Sequence, residues 1–151
     1  MTWADLRAEL DAWHAAGRTA TLWWRDDGGA DWTPALYRLV QVAEAGSVPV
    51  ALAVPPIPAT RRLGDRLGEW PRVRVLQHGY ALRDHAPASE APNEYPPLRN
   101  GPAVAGEICH GWLRISELFG KRALPVFVPP WNRMSSDLPG ALIQLGFKGV
   151  S

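Results

Sequence analysis

Five short apolar runs alternate with segments of helical spacing, and this alternation constrains the chain more than any single residue in it. The runs are residues 20–25, 48–54 (VPVALAV), 72–77 (RVRVLQ), 124–128 (LPVFV) and 147–150 (FKGV). Ahead of the first, Trp3, Leu6, Leu10 and Trp13 recur on one helical face, with Thr2 and Asp5 as a capping pair and Gly17 as the stop. Thr33 and Pro34 supply an N-cap and a first-turn proline for a helix running to about Gly46. A polar helix is expected over 59–69. Another is expected over 103–119, with Val104, Ile108, Ile115 and Phe119 on one face. Ser136 is the expected cap of the last helix. Strand–helix–strand alternation of this kind gives crossovers of one hand and a parallel sheet. The fold class is therefore α/β, built of parallel (β/α) units. A closed barrel of eight strands takes about 250 residues, and five strands do not close one. A chain of 151 residues that stops on a strand is expected to be the N-terminal part of an incomplete barrel, a single domain over 1–151 lacking its C-terminal part.

Composition narrows the class of function. The net charge is +1 with dispersed charges, so no footprint for nucleic acid or an anionic membrane stands out. The lone Cys109 excludes an internal disulfide and a cysteine zinc cluster. The start, MTWADLRAEL, has neither a basic leader nor an apolar core, and no apolar run is long enough to span a bilayer. A soluble cytoplasmic protein is the expectation.

Chemistry in parallel α/β folds collects at the carboxyl ends of the strands. The first strand ends in Asp26-Asp27, followed by Gly28 and Gly29. The third ends in His78, with His85 in the loop beyond it, and the fourth ends in the segment PPWNR, residues 129–133. Carboxylates, imidazoles and an arginine-bearing turn thus meet at one rim, and Asp with His forms a plausible site for a hard-to-borderline metal ion. An Asp pair after a strand also satisfies backbone donors at the next helix, but Asp31 and Thr33 are better placed for that work. His14 and His110 fall within helices and read as surface or packing residues. Trp23, Trp24 and Trp70 read as core or rim packing.

The segments WWRDD, LQHGYALRDHAP and LPVFVPPWNR, in that order and at those strand ends, resemble the polysaccharide deacetylase family of metal-dependent de-N-acetylases. The resemblance implies a distorted, incomplete (β/α) barrel and hydrolysis of N-acetyl groups on amino sugars. Asp26 matches the catalytic base and Asp27 a metal ligand. His78 matches the first His of a His-x-x-x-His ligand pair. Trp131 matches the groove wall whose backbone N–H helps hold the oxyanion. In that chemistry a divalent metal, zinc by the family pattern, polarises the acetamide and activates water. A carboxylate takes the proton, and backbone donors steady the tetrahedral oxyanion.

The departures are specific. Leu82 stands where the second metal His belongs, and leucine does not ligate. His85, seven residues after His78, would lie about 10 Å along a helix from it, so it serves as a ligand only if the chain folds back. Val128 stands where an Arg orients the catalytic base, which leaves Arg25 or Arg133 as a substitute. The family's histidine general acid would lie beyond Ser151. Three readings are therefore open: a deacetylase, an impaired or inactive remnant that binds a carbohydrate or a protein, and a structural module with an accidental Asp/His cluster. The expected partner is an N-acetylated amino sugar or oligosaccharide, and an unpaired sheet edge would invite self-association.

Overall fold

A computed structural model describes residues 2–151. Helix α1 spans Trp3–Ala15 and strand β1 Arg25–Asp27. They are followed by α2 (Pro34–Ala45), β2 (Val50–Val54), α3 (Arg61–Leu67), β3 (Val73–His78), α4 (Gly101–Phe119), β4 (Ala123–Val128), α5 (Leu138–Gln144) and β5 (Gly149–Val150). All strand pairs are parallel, and the spatial order is β1-β2-β3-β4-β5. Strands laid down in chain order, with crossovers of one hand, put their helices on the same side of the sheet. The other side becomes the concave wall of a barrel, and the α/β expectation holds.

Caps explain where most helices begin. Thr2 and Asp5 form the expected box, with Thr2 N–H donating to Asp5 Oδ2 at 2.6 Å and Asp5 N–H to Thr2 Oγ1 at 3.2 Å. Thr33, Thr60 and Asn100 accept from the third residue of α2, α3 and α4. Ser136 is not a cap: α5 starts behind Asp137, which makes no side-chain capping bond. The helix side of the sheet holds two core clusters. One packs Leu52, Val54, Val73 and Val75 against Leu63, Ile115 and Phe119. The other joins Tyr95, Ile108, Phe127, Leu142 and Phe147. The concave side carries a smaller set, Ala51, Ala53, Leu76 and Val128.

Several expectations change. Strand β1 is Arg25–Asp27 rather than 20–25. Its only neighbour among the described residues, β2, begins at Val50 and is preceded by Pro49, which has no N–H to donate, so residues before Trp24 have no ladder to join. Leu22 and Trp23 consequently stay 77% and 61% exposed, and Trp23 is not a packing residue. Helix α1 buries none of its side chains, so the stripe of Trp3, Leu6, Leu10 and Trp13 is amphipathic without being covered. Trp24 and Trp70 do pack on the helix-side core. No helix among the described residues is long and apolar enough to cross a membrane.

Candidate functional site

Strand register decides which way each candidate residue faces. Asp26 pairs with Leu52, and Leu52 with Val75, both in the helix-side core. Asp27 pairs with Ala53, and Ala53 with Leu76, both on the concave side. Side chains alternate along a strand, so the two carboxylates diverge. Arg25 and Asp27, two apart, share the concave face, as do Leu76 and His78 on β3. Asp26 and Asp27 both border a cleft with Gly29, Ala35, Leu36 and Leu39 beside α2. Gly28, at φ 92°, makes the turn that follows, a backbone angle that L side chains rarely adopt.

On the concave rim, Arg25 organises the neighbourhood. Its Nε lies 2.7 Å from Asp27 Oδ1, and its Nη2 donates to Asp27 Oδ2 at 2.9 Å, a two-pronged pairing. The same guanidinium donates to Asn132 Oδ1 at 3.3 Å and to Ser151 Oγ at 3.0 Å. One side chain from β1 thereby reaches the turn after β4 and the residue after β5, across the open side of the curled sheet. The sequence reading named Arg25 as a substitute for the arginine missing at Val128. It does hold an aspartate, but Asp27 rather than Asp26. Arg133 is exposed and makes no ion pair among the described residues.

His78 is 7% exposed. Its Nδ1 lies 3.2 Å from the carbonyl of Val128. A carbonyl only accepts, so Nδ1 carries the proton and Nε2 keeps its lone pair for the rim. Burial lowers the pKa of His78, against an opposing pull from the Asp27 charge. Burial, with a contribution from Asp27, raises that of Asp26. The ring is therefore neutral at pH 7.

Trp131 sits in a tight turn after β4 with its side chain 43% exposed. Both Trp131 and Asn132 adopt left-handed backbone, at φ 53° and 54°, a conformation costing each residue on the order of 1–3 kcal/mol. Bonds from Asn132 N–H to Pro129 O (3.0 Å) and Arg133 N–H to Pro130 O (3.1 Å) hold the turn. The indole stands exposed at the rim.

His85 stands apart. It lines a separate depression with Ile57, Tyr80, Arg83, Glu94 and Glu107, and its backbone N–H is tied to Asn93 O at 2.9 Å. The loop after β3 is not a helix, so the i+4 relation between His78 and Leu82 does not bring those side chains onto one helical face. Its organiser is a residue that sequence reasoning missed, the buried Glu94, which accepts backbone N–H bonds from Tyr80, Ala81 and Arg83 at 3.0, 2.8 and 3.2 Å. Its only signal was an acid, one of three with Asp84 and Glu90, within a proline-rich loop. Asp31 likewise has a structural task, accepting from Trp32 N–H and Thr60 Oγ at 2.7 Å each. His14 and His110 are exposed, and His110 Nδ1 lies 2.9 Å from Tyr80 Oη.

A divalent metal at this rim would need deprotonated ligands gathered around one point. His78 offers Nε2 in the right tautomer. Both oxygens of Asp27 already face a guanidinium, Leu82 offers nothing, and His85 lies elsewhere. Among the described residues no group of three or more His, Cys, Asp or Glu side chains could hold an ion. The donor set does not fit.

No family model matches the sequence, and no curated protein does. Solved structures do match. A family 4 carbohydrate esterase from Streptomyces lividans, in complex with acetate, superposes with a TM-score of 0.67 over 88% of this chain, at 13% identity. The fold is that of the family 4 carbohydrate esterases. A peptidoglycan N-acetylglucosamine deacetylase, Bc1960, shares this esterase-type fold at TM-score 0.65 and 14% identity over 85% of the chain. So does a wild-type CE4 family pseudoenzyme from Bacillus anthracis, BA3943, at 0.63 and 10% over 84%. The chain spans 62%, 54% and 42% of the lengths of these proteins, respectively. The esterase-type fold thus accommodates both a deacetylase and a pseudoenzyme.

Proposed function

We propose that this chain is a domain of the polysaccharide deacetylase type whose rim receives N-acetylated amino sugars, and that it binds them with little hydrolysis. The observation that carries this reading is the guanidinium of Arg25 on both oxygens of Asp27. It claims the carboxylate that deacetylase chemistry assigns to the metal, while the surrounding fold remains that of carbohydrate esterases. The exposed Trp131 offers an apolar face for a sugar ring. The neutral His78 and the Asn132 amide line the rim beside it. The second reading is a working deacetylase, favoured by Asp26, whose raised pKa suits a general base. Its register on the helix side, away from His78, weighs against that role.

Calorimetric titration with a chitooligosaccharide, paired with an acetate-release assay in added zinc, tests the proposal. Saturable binding that Trp131→Ala abolishes, with no acetate released, is the expected result. Acetate release that zinc stimulates and Asp26→Asn removes would establish the enzyme reading instead. No binding at all would refute the sugar assignment.

A further inference from the structure

Arg25 does more than neutralise one neighbour. Its fork is held on Asp27 Oδ1 and Oδ2 at 2.7 and 2.9 Å, and its remaining donors reach Asn132 Oδ1 at 3.3 Å and Ser151 Oγ at 3.0 Å. The guanidinium therefore has partners on three separate segments of chain: β1, the turn after β4 and the end of β5. Its side chain is only 17% exposed. A planar cation with this many fixed partners is a built component of the rim rather than a surface ion pair.

We infer that the guanidinium of Arg25 is the resident cation of this rim, filling with a side chain the place where an esterase-type fold would hold a divalent ion. Three features of the arrangement converge on this. The carboxylate in question is Asp27, which shares the concave face with His78, the other group that the family resemblance assigns to a metal. The pairing is internal to the strand, since residues two apart lie on the same face, and each copy of the chain is made with its counter-charge attached. A dication approaching Asp27, whose side chain is 40% exposed, would meet a positive charge already in contact with the same carboxylate. The rim thus keeps its charge balance without metal, and Asp27 is unavailable as a ligand while Arg25 is in place.

This inference shares the Arg25 geometry with the sugar-binding proposal, but its test contains no sugar and reads the metal alone, so the two outcomes are distinguishable. Zinc is titrated into the full chain by calorimetry and by thermal unfolding, using wild type, Arg25→Ala, Asp27→Asn and the double variant Arg25→Ala/Asp27→Asn. The wild type should show no saturable zinc binding and no change in Tm. Arg25→Ala should gain zinc affinity at least tenfold, with a Tm rise of roughly 5–11 °C at a hundredfold excess over Kd. The double variant should lose that gain. Methylguanidinium chloride, at concentrations too low to denature, should suppress the zinc effect in Arg25→Ala by refilling the vacated position. Saturable zinc binding by the wild type that Asp27→Asn abolishes would overturn the inference, and this arm does not depend on whether Arg25→Ala folds. Arg25→Ala that folds yet binds zinc no better than the wild type would overturn it as well.

Discussion

Removing the carboxylate of Glu94 should unfasten the loop that carries Leu82 and His85. Glu94 is 1% exposed, and its two oxygens serve three backbone donors. Oε1 takes Ala81 N–H at 2.8 Å and Arg83 N–H at 3.2 Å, and Oε2 takes Tyr80 N–H at 3.0 Å. A hydrogen bond to a charged group is worth about 1.5–3 kcal/mol. Tyr80 and Ala81 are half-buried, whereas Arg83 is exposed and can turn its N–H to water. Counting only the first two, at the lower end, gives a loss of about 3 kcal/mol for Glu94→Ala. In a chain of this size that corresponds to a Tm lower by roughly 6–12 °C. Glu94→Gln keeps an oxygen for Ala81 and Arg83 but turns an amide N–H toward the N–H of Tyr80. It should cost about half as much, roughly 1.5 kcal/mol. Urea unfolding followed by tryptophan fluorescence measures both values, and hydrogen exchange should locate the loosened amides in 79–94. If Glu94→Ala unfolds within about 0.5 kcal/mol of the wild type, the typical scatter of neutral surface changes, the loop is held by something other than this carboxylate.

His78 makes stability depend on pH. Burial lowers its folded pKa below the ordinary 6.5, so the unfolded chain takes up a proton first. That contribution is complete above about pH 6.5 and falls as pH drops from there toward the folded pKa, by at most about 1.4 kcal/mol per pH unit. Urea midpoints at pH 7.5 and 5.5 should differ less in His78→Gln than in the wild type. Gly64→Ala should destabilise, although alanine is the better helix former by about 1 kcal/mol. A Cβ there would lie 2.5 Å from the backbone oxygen of Leu118, forcing α3 away from α4 at a net cost of roughly 2 kcal/mol, readable as a lower urea midpoint.

Much of the architecture was legible in the residues because it depends on short-range rules. Apolar runs at regular intervals fixed the parallel α/β plan. The Thr2–Asp5 box and the Thr33-Pro34 start were readable because capping joins residues three apart. The place of Asp27 and His78 at strand ends followed from topology alone. Even the Arg25–Asp27 pair had a local signal, since residues two apart share a face of a strand. What sequence could not supply were partners chosen by curvature. Asn132 and Ser151 lie more than 100 residues from Arg25 along the chain, and they meet it only because five parallel strands curl their far edge toward the first. Glu94 finds the loop after β3 because that loop folds back over its own start, a path no periodicity encodes. The run 20–25 failed as a buried strand for the converse reason. Apolar spacing announces that a face could be buried, while burial itself requires an opposing surface, and only the assembled sheet determines whether one is there.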